Sequence, residues 1–352
     1  MTKVRKLSLL ALGATAALSL AGQSAFALGT YDWNGATSND WTNNANWYPK
    51  APATGGTLAA PVVSGNFDLG TSTTAETYAL TYDPANNAGI TDPTYEIGGI
   101  FIGQHTAAEL DVLSGSLTFE DQQYNSSVAW DGSAGAINVN GGTLTFLSPT
   151  GGAGLAFGHS GTDTANGVGT VSVTNGTLNV DGGLYFNYDY NHSTLTVGQG
   201  GLVTVNNSDQ ATPTAGTTTL GFGSRIVLTG NGIFEQTGSS TINFNSHNGS
   251  YAAVAFQAGG NGMLSLFDGG SSGLSAIESQ LSTAITGGYI DSISGSTLTP
   301  LTSLSQLAFA QSGNQAQITL APTAPTPEPA SLGLLAIAGA GMLLLHRRKR
   351  MA

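Results

Sequence analysis

The sequence predicts an all-β fold, a parallel β-helix (β-solenoid), on three observations. Apolar and polar residues alternate with period two along most of the chain, the pattern of half-buried strands. A phrase of short strands recurs in the same order. Glycine, 50 of 352 residues, punctuates those phrases and supplies the positive φ that sharp corners need.

The elements follow from the N-terminus. Residues 1–27 read as a signal peptide, which implies export through the Sec translocon. Lys3, Arg5 and Lys6 form a positive n-region, residues 7–20 are apolar, and Ala25-Phe26-Ala27 places cleavage after Ala27. The apolar run is shorter than the roughly 20 residues of a membrane span.

Residues 28–75 contain Tyr31-Asp32-Trp33-Asn34-Gly35, Trp41 and Asn46-Trp47, three of the four tryptophans. This segment resembles the opening of autotransporter-associated β-strand-repeat proteins. The resemblance implies a Trp-rich cap over the first coil of a β-helix. Trp33, Trp41 and Trp47 are also candidates for stacking on sugar rings, because an indole face is large and apolar.

Residues 76–270 hold the repeats. Leu110-Asp111-Val112 leads through Gly115 to Leu117-Thr118-Phe119; the same phrase returns at 137–146 and 171–180. Leu195 and Val197 continue toward Val203 and Val205 after one extra residue; Ile226 and Leu228 are read as continuing to Ile233, with Glu235 at the last apolar place. A third strand precedes each phrase, starting at Ile100, Val128, Leu155 and Leu220, and one further unit lies between the last two. Weaker strands follow at 242–244, 254–256 and 264–266. Three strands per unit, stacked unit on unit, would bury Leu, Ile, Val and Phe in a dry interior. An antiparallel sandwich or Greek-key barrel shows similar alternation, and the turn signals Asn140-Gly141 and Asn175-Gly176 keep it open.

Residues 271–320 read as a C-terminal cap. Leu274, Ile277, Leu281 and Ile285 fall on one face of a helix over 275–286, and residues 304–320 alternate as one or two strands. Residues 321–329 carry four prolines and read as an extended linker.

The chain ends in a three-part tail: Pro327-Glu328-Pro329, the uncharged stretch 330–345, and the basic cluster Arg347, Arg348, Lys349 and Arg350. As a helix the sixteen uncharged residues span about 24 Å, and the arginines can snorkel to complete a bilayer crossing. The basic end stays cytoplasmic by the positive-inside rule. Residues 327–352 resemble the PEP-CTERM sorting domain of Gram-negative bacteria. The resemblance implies a transmembrane sorting helix read by an exosortase, a membrane protease that cuts near the motif and passes the protein to the cell surface or matrix, often beside exopolysaccharide.

Charge narrows the function classes. Residues 28–326 hold two basic and twenty acidic residues, a balance of −18. Clustered cations for nucleic-acid phosphate are missing, and without cysteine there is no disulfide or thiolate metal site. Glu120-Asp121 is the one adjacent acid pair and reads as a solvated corner just past a strand. Asp111, Asn138, Ser172 and Thr196 share one outward slot, a ladder with a single acid. His105, His159, His192 and His247 form no zinc pattern. No catalytic residue, metal or cofactor is therefore assigned. The expectation is a non-enzymatic surface or matrix protein. A carbohydrate-binding or polysaccharide-degrading β-helix and an adhesin are the alternatives.

Overall fold

The computed structural model describes residues 29–33, 47–48, 65–69, 78–83, 94–97, 99–103, 106–121, 126–129, 133–147, 154–157, 167–186, 193–206, 218–220, 223–237, 242–244, 246–247, 250–251, 253–268 and 273–322. Nearly all of them are strand or tight turn, arranged in three nine-stranded sheets, here A, B and C. The chain visits the sheets in rotation. Ser126–Val128 lies in sheet A, Gly135–Asn140 in B and Thr143–Leu147 in C; the next visit supplies Leu155–Phe157, Gly169–Thr174 and Thr177–Asp181. Such circuits run from Gly65–Leu69 to Met263–Phe267, and Leu184–Phe186 opens the one that the sequence hid between Leu155 and Leu220.

Within the repeat, neighbouring strands pair parallel and in register, not antiparallel. Leu110, Ile137, Val171, Leu195, Ile226, Val254 and Ile290 form one continuous row in sheet B. Strand alternation turns that row inward, and its residues are at most 1% exposed. Inward rows from all three sheets meet in a single apolar cluster. Phenylalanines stack within it from circuit to circuit: Phe157 and Phe186 have centroids 4.3 Å apart at 11°, and Phe119 and Phe146 5.7 Å apart at 28°.

The interior is less uniformly apolar than the alternation predicts. Ser126, Thr218 and Gln236 are inward and fully buried. Hydrogen bonds offset part of their desolvation: the Ser126 hydroxyl accepts from the Ile100 amide at 3.1 Å, and Gln236 Nε2 donates to Thr218 Oγ1 at 2.7 Å.

The register expected at Ile233 is corrected. Phe234 pairs with Val203 and Gln236 with Val205, so these two face inward and Ile233 faces out. The cause is corner length. The turns at 141–142 and 175–176 are short, whereas 198–201 and 229–232 are four residues closed by Gly201 N–H to Gly198 O and Gly232 N–H to Thr229 O. From Ala108–Val112 to Met263–Phe267, the B-to-C links are two to five residues long, while links touching sheet A reach eleven.

Each sheet ends differently at its C-terminal side. Helix α1, Gly273–Thr286, buries Ile277, Leu281 and Ile285 against the core, as the sequence expected. Its Gln280 Nε2 donates at 3.2 Å to Ile242 O on the last strand of sheet A. Sheet B ends in the antiparallel pair Ile290–Ser294 and Thr297–Pro300. Sheet C ends in Gln315–Leu320, antiparallel to Met263–Phe267, with Leu307–Ser312 outside it.

Candidate functional site

The expected site residues divide between described and undescribed chain. Ala25, Ala27, Trp41, the motif Pro327-Glu328-Pro329 and the cluster Arg347, Arg348, Lys349 and Arg350 lie outside the described residues, as do the segment expected to form a transmembrane helix, His105, His159 and His192. Trp33 and Trp47 are brought together: Gly29–Trp33 runs antiparallel to Trp47–Tyr48, and the two tryptophans sit directly opposite on the edge of sheet A. Gly29–Trp33 also pairs parallel with Gly65–Leu69, so this Trp-rich segment continues the sheet of the repeats. His247 lies in a two-residue antiparallel ladder with Ser250.

Glu120 and Asp121 are corrected in position. They are the last residues of the strand Ser116–Asp121, not a turn beyond it, and Glu120 stands beside Glu96 of the neighbouring strand. A closer acid grouping was missed. Glu109 and Asp111 are two apart on Ala108–Val112 and therefore share its outer face. Asn138, in register with Asp111, donates through Nδ2 to Asp111 Oδ1 at 2.9 Å and also to Glu109 Oε1. One amide thus bridges two carboxylates and offsets their repulsion. The outward slot from Asp111 through Asn138 and Ser172 to Thr196 is as expected.

The same face of sheet B carries a second charged arrangement. Arg225, the one cation among the described residues, aligns with Ala253; Val227 aligns with Ala255, and Ala255 with Asp291. Arg225 Nε is buried without a hydrogen-bond partner. Asp291 is only 7% exposed. Burial raises its pKa above the ordinary carboxylate value, and the charge of Arg225 partly opposes that rise.

At the C-terminal end, a cavity of about 540 Å³ opens between the turn at 258–261 and the last strands. Ser292, Leu301, Ser305, Gln306, Leu320 and Pro322 line it, so its wall is neutral and includes the point where the described chain leads toward the motif. Gln306 is held in place by accepting from the Thr302 and Ser303 amides at 2.7 and 3.1 Å. Among the described residues no group of three or more His, Asp or Glu is placed to hold a metal ion, and no helix is long and apolar enough to cross a membrane.

Residues 325–349 match the model of the PEP-CTERM protein-sorting motif. That motif implies an exported protein, transiently anchored in the membrane and processed by an exosortase. No curated protein and no solved structure matches the chain.

Proposed function

We propose that this protein is a non-enzymatic, exported surface or matrix protein whose parallel β-helical body is delivered by its own tail. The observation that carries the reading is the sorting motif at 325–349, joined by a few residues to a body whose last strand ends at Leu320. The body supplies in-register strand stacking and an outer surface of hydroxyls, amides and scattered acids. The tail supplies the address. Export through the Sec translocon, exosortase cutting near Pro327-Glu328-Pro329 and residence beside exopolysaccharide follow from that reading. A product cut after Ala27 and after Pro329 holds two basic and twenty-one acidic residues, so it carries −19. Such a surface meets acidic polymers through bridging cations better than by direct contact.

Replacing Pro327-Glu328-Pro329 by three alanines tests this. The variant should keep its tail and remain in the membrane fraction, while the parent yields a shorter C-terminus by mass spectrometry. Identical processing of both chains would remove the sorting claim.

A second reading, a sugar-binding module, is favoured by the facing positions of Trp33 and Trp47. Co-sedimentation with a polysaccharide panel tests it: binding lost in Trp33→Ala supports it, and no binding by the parent ends it.

A further inference from the structure

The three sheets do not protect their C-terminal edges equally. Sheet A is covered where Gln280 of α1 bonds to Ile242. Sheet B ends in Thr297–Pro300, four residues of which the last is proline, a residue with no N–H to offer. Sheet C ends in Leu307–Ser312, six residues of sequence LAFAQS, with no proline and no charge. Its inner side makes the full antiparallel ladder with Gln315–Leu320, from Leu307–Leu320 to Ser312–Gln315. Among the described residues no strand pairs with its outer side. Ala310, Gln311 and Ser312 are exposed. Proteins normally blunt such an edge with a charge, a proline or a bulge, because its free N–H and C=O groups template another strand. None of these devices is present in the strand.

Charge selects the occupant. Residues 28–326 carry −18, so most approaches of two copies bring acids together. Residues 292–327 contain no charged side chain at all. Asp268, just past Met263–Phe267, is 4% exposed and accepts from Gln311 Nε2 at 2.7 Å. The edge therefore lies in the longest of the neutral stretches of an acidic body. An antiparallel strand can also pair with itself across a two-fold axis, giving a closed, self-complementary contact.

We infer that the outer edge of Leu307–Ser312 is a docking edge for a second copy of this chain, which adds its own Leu307–Ser312 antiparallel and joins two C sheets end to end. This does not depend on the sorting reading, since the edge belongs to the folded body.

Because the chain has no cysteine, a single introduced thiol reports the contact cleanly. Ala310→Cys in the full chain, run from whole cells on a non-reducing gel, should give a band of twice the monomer mass that reductant removes. Ser296→Cys, in the exposed turn beyond sheet B, should not. In parallel, the full chain in mild detergent should sediment as a dimer, and Ala310→Lys should sediment as a monomer with an unchanged melting temperature. If Ala310→Lys does not fold, the cysteine pair decides alone. A monomeric parent overturns the inference. So does a dimer without an Ala310→Cys disulfide, the result expected for head-to-tail stacking. Equal cross-linking at positions 296 and 310 overturns it too.

Discussion

Gly232→Ala tests whether the corners hold the circuits in register. A β-carbon at Gly232 would sit 2.1 Å from Val197 O and 2.5 Å from Val197 C, both backbone atoms of the previous circuit. Real β-carbons essentially never approach closer than 3.0 Å, so the corner must retreat by roughly 1 Å. Three hydrogen bonds lie in the path of that movement, each 2.9 Å long: Gly232 N–H to Thr229 O, Ile233 N–H to Gly201 O, and Thr229 N–H to Val197 O. A shift of that size breaks at least two of them. At about 1 kcal/mol each, more where a buried donor is left unpaired, the loss is about 2–4 kcal/mol. That is a large part of a domain stability of about 5–15 kcal/mol. Gly259→Ala is the control: its φ is +74°, but nothing lies within 4 Å of the added carbon, so only the left-handed backbone cost of about 1–2 kcal/mol applies. Urea unfolding followed by circular dichroism measures both, with an unchanged slope required for comparison. A Gly232→Ala midpoint equal to the parent's, or no lower than that of Gly259→Ala, would refute the reasoning.

Other outcomes follow from the same geometry. Phe157→Ala removes one member of the 4.3 Å stack from a fully buried site and should cost about 3–5 kcal/mol in the same urea assay, with Phe157→Leu recovering most of it. Asn138→Asp replaces the shared donor with a third carboxylate and should lose about 1–3 kcal/mol, more than Asn138→Ala; added salt should narrow the gap between the two. Asp291 is a carboxyl whose folded pKa is raised, so the folded state holds its proton more tightly than the unfolded chain does. Its contribution to stability is full below the ordinary value of 3.8 and is lost as pH rises through the folded value. Asp291→Asn should therefore melt at or above the parent at pH 7, and the difference should shrink as the pH is taken down toward 4.

What could be read from the sequence depended on corner length. The phrases at 110–119, 137–146 and 171–180 share one corner step, so matching their apolar residues gave the correct register. At 228–236 the four-residue corner admits two phasings, one with Ile233 inward and one with Phe234 inward. The structure adopts the second, with Phe234 inward and Glu235 outward, and the inward Gln236 is accommodated by a buried hydrogen bond to Thr218, a long-range contact that local alternation cannot show. The Glu109–Asp111 pair escaped for a related reason. Adjacency in sequence does not place two acids together in a sheet, because a strand brings i and i+2 to one face. The bridging donor, Asn138, comes from a different circuit. The sorting tail was legible without any fold, since its parts are a motif, a hydrophobic length and a charge cluster in linear order.

In-register stacking also makes length a counted quantity. Each circuit adds one strand spacing, about 4.8 Å, to the height of all three sheets. Because Thr177 stands over Thr143, and Thr143 over Ser116, a whole circuit can be gained or lost without disturbing how its neighbours meet. The ends do not share this freedom, since the helix and the reversed strands each fit only a last circuit. The distance between the paired tryptophans at one end and the tail-bearing strand at the other can therefore change only in whole steps, and gene duplication within the repeat would set it like a ruler.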